Sequence, residues 1–270
     1  MRMLTCLLLW LSLCALTSPA WAAFDHSHAD WNQLLGKHVS WQPGGHESKV
    51  SYAGFKQDRP TLRAYLDRLS AVSQAEFNGW NKAQQLAFLI NAYNGFTVEL
   101  ILTRYPDIGS IRDFGLVFNN PWKKKFFTLF GREQTLDGIE HGIIRSEGGY
   151  NDFRIHMAVN CASIGCPALR PEAYVAERLD AQLDDQVLRF MSDRTRNRYD
   201  AQREALELSK IFDWYGKDFA KGWRGINSLP AFLAQYADQL ADLPGDQQAI
   251  RSQRVKIRYL DYDWALNDRQ

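Results

Sequence analysis

Apolar positions along this chain recur mainly at helical spacing. From Asn81 to Arg104, the residues Leu86, Leu89, Ile90, Tyr93, Phe96, Thr97, Leu100 and Ile101 fall on one broad face, and polar residues thin out after Gln85. This pattern predicts a long helix buried on most sides. Pro60-Thr61-Leu62 opens another helix with Leu62, Tyr65, Leu66 and Leu69 inward. Ser73 followed by Glu76 reads as a capping box, and Thr135 as the cap of a helix through Arg145. Glu172 to Met191 is amphipathic, with Leu179, Leu183, Val187, Leu188 and Met191 inward, and Ser228 caps a helix that has Pro230 in its first turn. Strand patterns are short and scattered. They are Val50-Ser51-Tyr52, Trp122 to Phe130, a hairpin of Arg198-Tyr199-Asp200 with Ala205 to Leu208, and Val255 to Leu260. Arg154 to Asn160 alternates, with Ile155, Met157 and Val159 on one face and His156, Ala158 and Asn160 on the other. The expected architecture is a helix-rich α+β single domain with a small, mostly antiparallel sheet.

The N-terminus departs from this globular pattern. Arg2, an apolar run from Leu4 to Leu16 and the tripeptide Ala20-Trp21-Ala22 have the form of a secretory signal cleaved after Ala22. The apolar run falls short of the about 20 residues a membrane span needs. Cys14 follows Leu13, where lipid attachment wants a small residue. Residues 1–22 are therefore expected to be a signal peptide, 23–49 an N-terminal segment and 50–270 the main domain, in a periplasmic or secreted protein with no stable membrane insertion after cleavage. Removing Arg2 from 32 basic residues leaves 31 against 31 acidic ones, so nothing in the charge points to nucleic acid as a partner.

Cleavage also removes Cys6 and Cys14 and leaves Cys161 and Cys166. Export places this pair in an oxidising compartment, where a Cys161–Cys166 disulfide is one reading. The other is catalytic. A thiol nucleophile needs a nearby base and a group that orients the base. His141 and His156 stand nearest in sequence, against four N-terminal histidines, and Glu140, Asn91 or Asn160 are available to orient an imidazole. His156 and Cys161 are an odd number of residues apart, so a continuous strand would point them to opposite faces. Backbone N–H groups of Ala162-Ser163-Ile164-Gly165 are candidates for an oxyanion hole. The C-x4-C spacing is not the C-x-x-C of thioredoxin-like redox sites. Glu140, His141, His156 and Cys161 are ligand types for zinc, but neighbours on an α-helix diverge by about 100°. No metal or cofactor is expected. His26-x-His28 is read as a solvated terminus, Lys123-Lys124-Lys125 as a solvated strand edge, and Tyr262-Asp263-Trp264 as packing back on the core.

Several segments in order carry a resemblance. Phe88-Leu89-Ile90-Asn91-Ala92-Tyr93-Asn94, Leu136-Asp137-Gly138-Ile139-Glu140-His141, Arg154-Ile155-His156, Asn160-Cys161-Ala162-Ser163, Gly165-Cys166-Pro167 and Tyr262-Asp263-Trp264-Ala265-Leu266-Asn267 resemble the DUF547 family, a domain of unknown function. The resemblance implies a site centred on His141, His156 and Cys161, and members in plant proteins that look intracellular favour a thiol role over a structural disulfide. The expected site comprises Cys161, His141, His156 and Glu140 as catalytic residues, with Asn91, Asn94, Arg145 and Asn160 binding substrate. The expected activity is a cysteine-dependent hydrolase or acyl transferase acting on a peptide-like or thiol-bearing small molecule. The alternative is a non-catalytic binding or structural domain with the disulfide.

Overall fold

Helix α5, Lys82–Leu102, is the axis on which the rest is assembled. Asn81 caps it by accepting the Gln84 N–H, and Gln84 reciprocates toward the Asn81 N–H. From Gln85 onward nearly every residue is buried, as the apolar run requires. The computed structural model describes residues 23–115 and 120–269, so the signal-peptide expectation, with Cys6 and Cys14, lies outside the described residues. Among the described residues no helix is long and apolar enough to cross a membrane.

The N-terminal half wraps α5 with α1 (Ala29–His38), the hairpin β1 (Val39–Trp41) and β2 (Ser48–Val50), α2 (Tyr52–Gln57), α3 (Arg59–Ala71) and α4 (Gln74–Gly79). Trp31 of α1 stacks on Tyr65 of α3 with ring centroids 5.8 Å apart, and both are buried. The capping box expected at Ser73 and Glu76 is half formed. Ser73 accepts the Glu76 N–H, but the Glu76 carboxylate turns to the N–H of Phe24. This contact helps fold the segment ahead of α1 onto the core. His28, expected in a solvated terminus, is 2% exposed, with its Nδ1 2.7 Å from the Tyr65 hydroxyl. His38 is buried as well and pairs with Asp58 at 2.7 Å.

Two three-residue strands, β3 (Phe127–Leu129) and β4 (Arg132–Gln134), replace the longer strand expected from Trp122 to Phe130. The region expected to alternate as a strand, Arg154 to Asn160, is instead the 3-10 helix Phe153–Met157, capped by Asp152. Its two-residue alternation is buried on both sides, so no strand partner was needed to satisfy it. The helix expected from Glu172 begins only at α6 (Leu179–Ser192), because the preceding backbone at Tyr174 is held by Asn91.

The C-terminal half builds a second apolar cluster around Phe190, Phe212, Phe219 and Phe232. It comprises the hairpin β5 (Arg198–Asp200) and β6 (Ala205–Leu208), then α7 (Ile211–Tyr215), α8 (Leu229–Gln235), α9 (Ala237–Leu240), α10 (Pro244–Arg251) and β7 (Lys256–Tyr259). Strand β7 joins β6 in parallel, so this is a small mixed sheet, and the strand content is divided among three separate sheets. The fold is a helix-rich α+β arrangement. A cavity opens where the two clusters meet, drawing Tyr93, Val159 and Trp264 from the first and Ile211, Tyr215 and Tyr262 from the second.

Candidate functional site

The two asparagines of α5 set the site's frame. Asn94 donates to the Ala158 carbonyl at 3.0 Å and accepts the Asn160 N–H at 2.8 Å. Asn91 does the same for a second segment, donating to the Tyr174 carbonyl at 2.7 Å and accepting its N–H at 3.0 Å. Each amide thereby satisfies backbone groups that would be orphaned in a buried loop. Asn160 repeats the device, donating to the Pro167 carbonyl and accepting the Ala162 N–H. These three residues, expected to bind substrate, stand behind the cavity wall with their amides committed to backbone.

The cysteine turn they hold is tight. Ala162 takes a left-handed φ of 63°, and the final segment pins the turn through Ile164 N–H to the Ala265 carbonyl and Gly165 N–H to the Asp263 carbonyl, both at 2.8 Å. Only glycine fits at Gly165, since a Cβ there would meet the Asp263 carbonyl oxygen at 2.9 Å. Three of the four N–H groups expected to form an oxyanion hole in this turn, those of Ala162, Ile164 and Gly165, are already bonded elsewhere.

Cys161 and Cys166 are both free, and no disulfide joins them. The turn aims Cys166 Sγ at the Cys161 backbone N–H, 2.9 Å away. Cys161 Sγ lies 3.1 Å from both Ser163 Oγ and Tyr262 Oη. Hydrogen bonds from Cys166, Ser163 and Tyr262 hold the Cys161 thiol below its ordinary pKa against the opposing effect of burial. Burial pushes Cys166 well up. Of the two, Cys161 is the one suited to be a thiolate.

Glu140 and His141 lie on a π-helix, Gly138–Ile144, closed by the Arg145 N–H on the Glu140 carbonyl at 2.9 Å and started by Thr135, which accepts the Gly138 N–H. Both side chains line the same cavity, with Glu140 Oε1 and His141 Nε2 4.0 Å apart, although neighbours on a helix diverge. Arg145 donates to His141 Nδ1. A guanidinium has no acceptor, so the neutral imidazole carries its proton on Nε2, 3.4 Å from Asp137.

His156 is the more consequential histidine. Its side chain is fully buried, stacked on Tyr215 with centroids 3.9 Å apart, and its Nε2 donates to Asp218 Oδ2 at 2.8 Å. Its Nδ1 is buried without a partner. Burial lowers the His156 pKa, outweighing the hydrogen bond to Asp218. The neutral form fits because the Asp218 charge is already met by Arg145 at 2.7 Å and Lys221 at 2.8 Å, which with His156 hold that carboxyl well below the usual range. Asp218 and Arg145 thus tie both imidazoles into one network.

These groups surround a cavity of about 240 Å³ whose walls include Tyr93, Trp122, Trp214, Tyr215, Tyr262 and Trp264. Cys161, Glu140, His141 and His156 all line it. Arg145 does not line it and acts from behind the wall, on His141, Asp218 and the Tyr215 ring. No imidazole hydrogen-bonds Cys161 Sγ among the described residues. Asp218 and Tyr262 escaped the sequence reading because they sit far along the chain from Cys161. The only trace was the aromatic Tyr262-Asp263-Trp264 run, read as packing. Among the described residues, no three His, Cys, Asp or Glu side chains converge as metal ligands would.

The family model described as "Protein of unknown function, DUF547" matches residues 77–191. No curated protein and no solved structure matches the chain. The matched segment holds Asn91, Asn94, Glu140, His141, His156 and Cys161, while Asp218, Tyr262 and the rim residue Trp214 lie beyond its C-terminal end.

Proposed function

Since this chain carries a DUF547 domain over residues 77–191, a family whose description assigns no reaction, we propose from the chemistry of its cavity that the protein is a cysteine-dependent hydrolase or acyl transferase. The nucleophile is Cys161, and the general base is His156 oriented by Asp218. One observation carries this reading. His156 has one nitrogen fixed on a carboxylate and the other left as a buried, unpartnered acceptor on the wall that also bears Cys161. That is the division of labour a nucleophile–base–acid triad requires.

In this reading the Cys161 thiol proton passes to His156 Nδ1 as the carbon–sulfur bond forms at an acyl carbon. The bond to the leaving group breaks as His156 returns that proton to it. Water then attacks the thioester, giving a proton to His156, and the acid departs as Cys161 regains its proton. The Tyr262 hydroxyl, 3.1 Å from Cys161 Sγ, is a donor for the oxyanion, since three of the turn's four candidate amides are committed elsewhere. Sγ and Nδ1 do not touch in the free protein, and catalytic hydrogen bonds often tighten only when substrate binds. A peptide-like or thiol-bearing small molecule suits the cavity's size, and the expected leader would place this chemistry outside the cytoplasm.

Incubating the purified protein with a panel of small thioesters and amides, followed by intact-mass spectrometry, tests the proposal. An acyl adduct mapped to Cys161, absent in Cys161→Ser and slowed in His156→Ala, is the expected result. Absence of any adduct, together with Cys161 alkylation no faster than that of a free cysteine peptide at neutral pH, would sink it.

A second reading is a non-catalytic small-molecule binding domain. The observation that favours it is that Cys161 Sγ is bonded to Ser163 and Tyr262 and not to an imidazole. Saturable ligand binding with no adduct would select it.

A further inference from the structure

The polar complement of the cavity is one-sided. Among the described residues Asp137, Glu140 and His141 line it, and no lysine or arginine does. Glu140 is the unusual group, with a carboxylate only 6% exposed. Among the described residues its nearest ion-pair candidate is His141, at 4.0 Å, and no lysine or arginine pairs with it. A buried carboxylate without a basic partner is costly, and a bound cation offsets that cost. Asp137 likewise has only His141 nearby, at 3.4 Å. His156 adds no donor, since its one N–H is committed to Asp218.

The walls have the matching property. Tyr262 and Trp264 lie with centroids 4.5 Å apart, Trp214 and Tyr262 4.9 Å, Trp214 and Trp264 5.7 Å, and Trp122 and Trp264 5.8 Å. Aromatic faces are electron-rich and attract cations, more strongly where water is excluded. Arg112 and Arg145 already sit over Trp264 and Tyr215, at 5.0 and 4.8 Å, yet neither lines the cavity. The same rings therefore hold cations from outside the cavity.

We propose that this cavity is a binding site for an alkylammonium or guanidinium group, its charge set against Glu140 and the tryptophan and tyrosine faces. The N–H groups of such a ligand supply donors to Glu140 and Asp137 beside the one that His141 offers. A carboxylate or phosphate in the same place would meet two carboxylates and, among the described residues, no lysine or arginine. As a statement about substrate, that the molecule acylating Cys161 carries a basic amine, the proposal rests on the nucleophile reading above. As a statement about binding it does not.

The test uses the purified Cys161→Ser protein at constant ionic strength, titrated with n-butylammonium, 1-butanol and butyrate, and read by tryptophan fluorescence. Saturable binding of n-butylammonium, about tenfold or more tighter than 1-butanol and with no competition from butyrate, is expected. Glu140→Gln in that background weakens it by about tenfold, with a thermal melt confirming the fold. Because Glu140 is buried, Asp137→Asn provides the second arm, and it too weakens amine binding. The proposal is overturned if butyrate binds as well as the amine, if the amine titration is flat, or if the folded Glu140→Gln protein binds unchanged. Should Glu140→Gln not fold, unchanged binding in Asp137→Asn overturns it. Amine binding here with no acyl adduct in the wild-type protein removes only the nucleophile reading. An adduct with no amine binding removes only this one.

Discussion

His156 and Asp218, 62 residues apart in sequence, meet at 2.8 Å through Nε2 and Oδ2, and the same oxygen accepts Arg145 at 2.7 Å. This contact commits His156 Nε2 to the carboxylate and leaves Nδ1 as the unpartnered nitrogen. Replacing Asp218 with Asn removes the anion that selects the tautomer and leaves Arg145 and Lys221 without their partner. Unfolding stability should fall by about 3 kcal/mol, since one side of a largely buried ion cluster is lost. Cys161 acylation should fall much further than Cys161 alkylation, because the thiolate is held by different residues. Urea titration and parallel rate measurements check both. Equal losses in the two rates would mean that Asp218 acts only through the fold.

Tyr262 tests the origin of Cys161 reactivity. Tyr262→Phe keeps the ring packed on Trp214 and Trp264 and removes one hydrogen bond to the sulfur. The pH profile of alkylation should move upward, and the rate at pH 7 should drop by about tenfold. Mass-spectrometric alkylation rates from pH 5 to 10 (a range chosen to bracket thiol titration) measure this. An unchanged profile would assign the effect to Ser163 and Cys166 alone.

Asn94 carries a purely structural prediction. Its amide satisfies the Ala158 carbonyl and the Asn160 N–H in the buried interior. Asn94→Ala leaves both unsatisfied and should cost about 3 kcal/mol, seen as a lower urea midpoint. Asn94→Asp keeps the acceptor but loses the donor toward Ala158 and should also destabilise. Because Asn94 does not line the cavity, whatever fraction remains folded should still bind ligand.

The pH dependence of stability should carry the mark of His28. Burial lowers its pKa to about 3 in the folded protein, against 6.5 ordinarily. Below the unfolded value the unfolded chain takes up a proton that the folded chain refuses, so stability falls as pH drops from about 6.5 toward 3. His26 and His156 are shifted the same way and add to the slope. Carboxylates such as Asp25 and Asp58, whose pKa values are lowered, lose their contribution only further down, below the ordinary carboxyl value of 3.8. Urea midpoints measured between pH 7 and 4.5, above the carboxyl range, should decline in wild type and decline less in His28→Gln. Identical slopes would show that His28 is not the sensor.

The sequence alone was enough for what depends on local periodicity and local capping. Helix α5 is legible because its apolar positions repeat every third or fourth residue. So are the Pro60 and Ser228 helix starts, the hairpin of β5 and β6, and the candidate set of Cys161, His141, His156 and Glu140 that one cavity gathers. Tertiary contacts decided the rest. Arg154 to Asn160 alternates like a strand, but Asn94 holds the end of that segment and neighbours bury both of its sides, so the strand pattern had no sheet to obey. Glu140 and His141 are helical neighbours that diverge, yet the meeting of the two apolar clusters closes one cavity over both. Asn91, Asn94 and Asn160 carry polar groups that suit a ligand, yet backbone loops claimed them first, since a buried N–H or carbonyl must find a partner. Asp218 and Tyr262 complete the site from distant positions, and no local pattern encodes a meeting that only packing two apolar clusters against each other brings about.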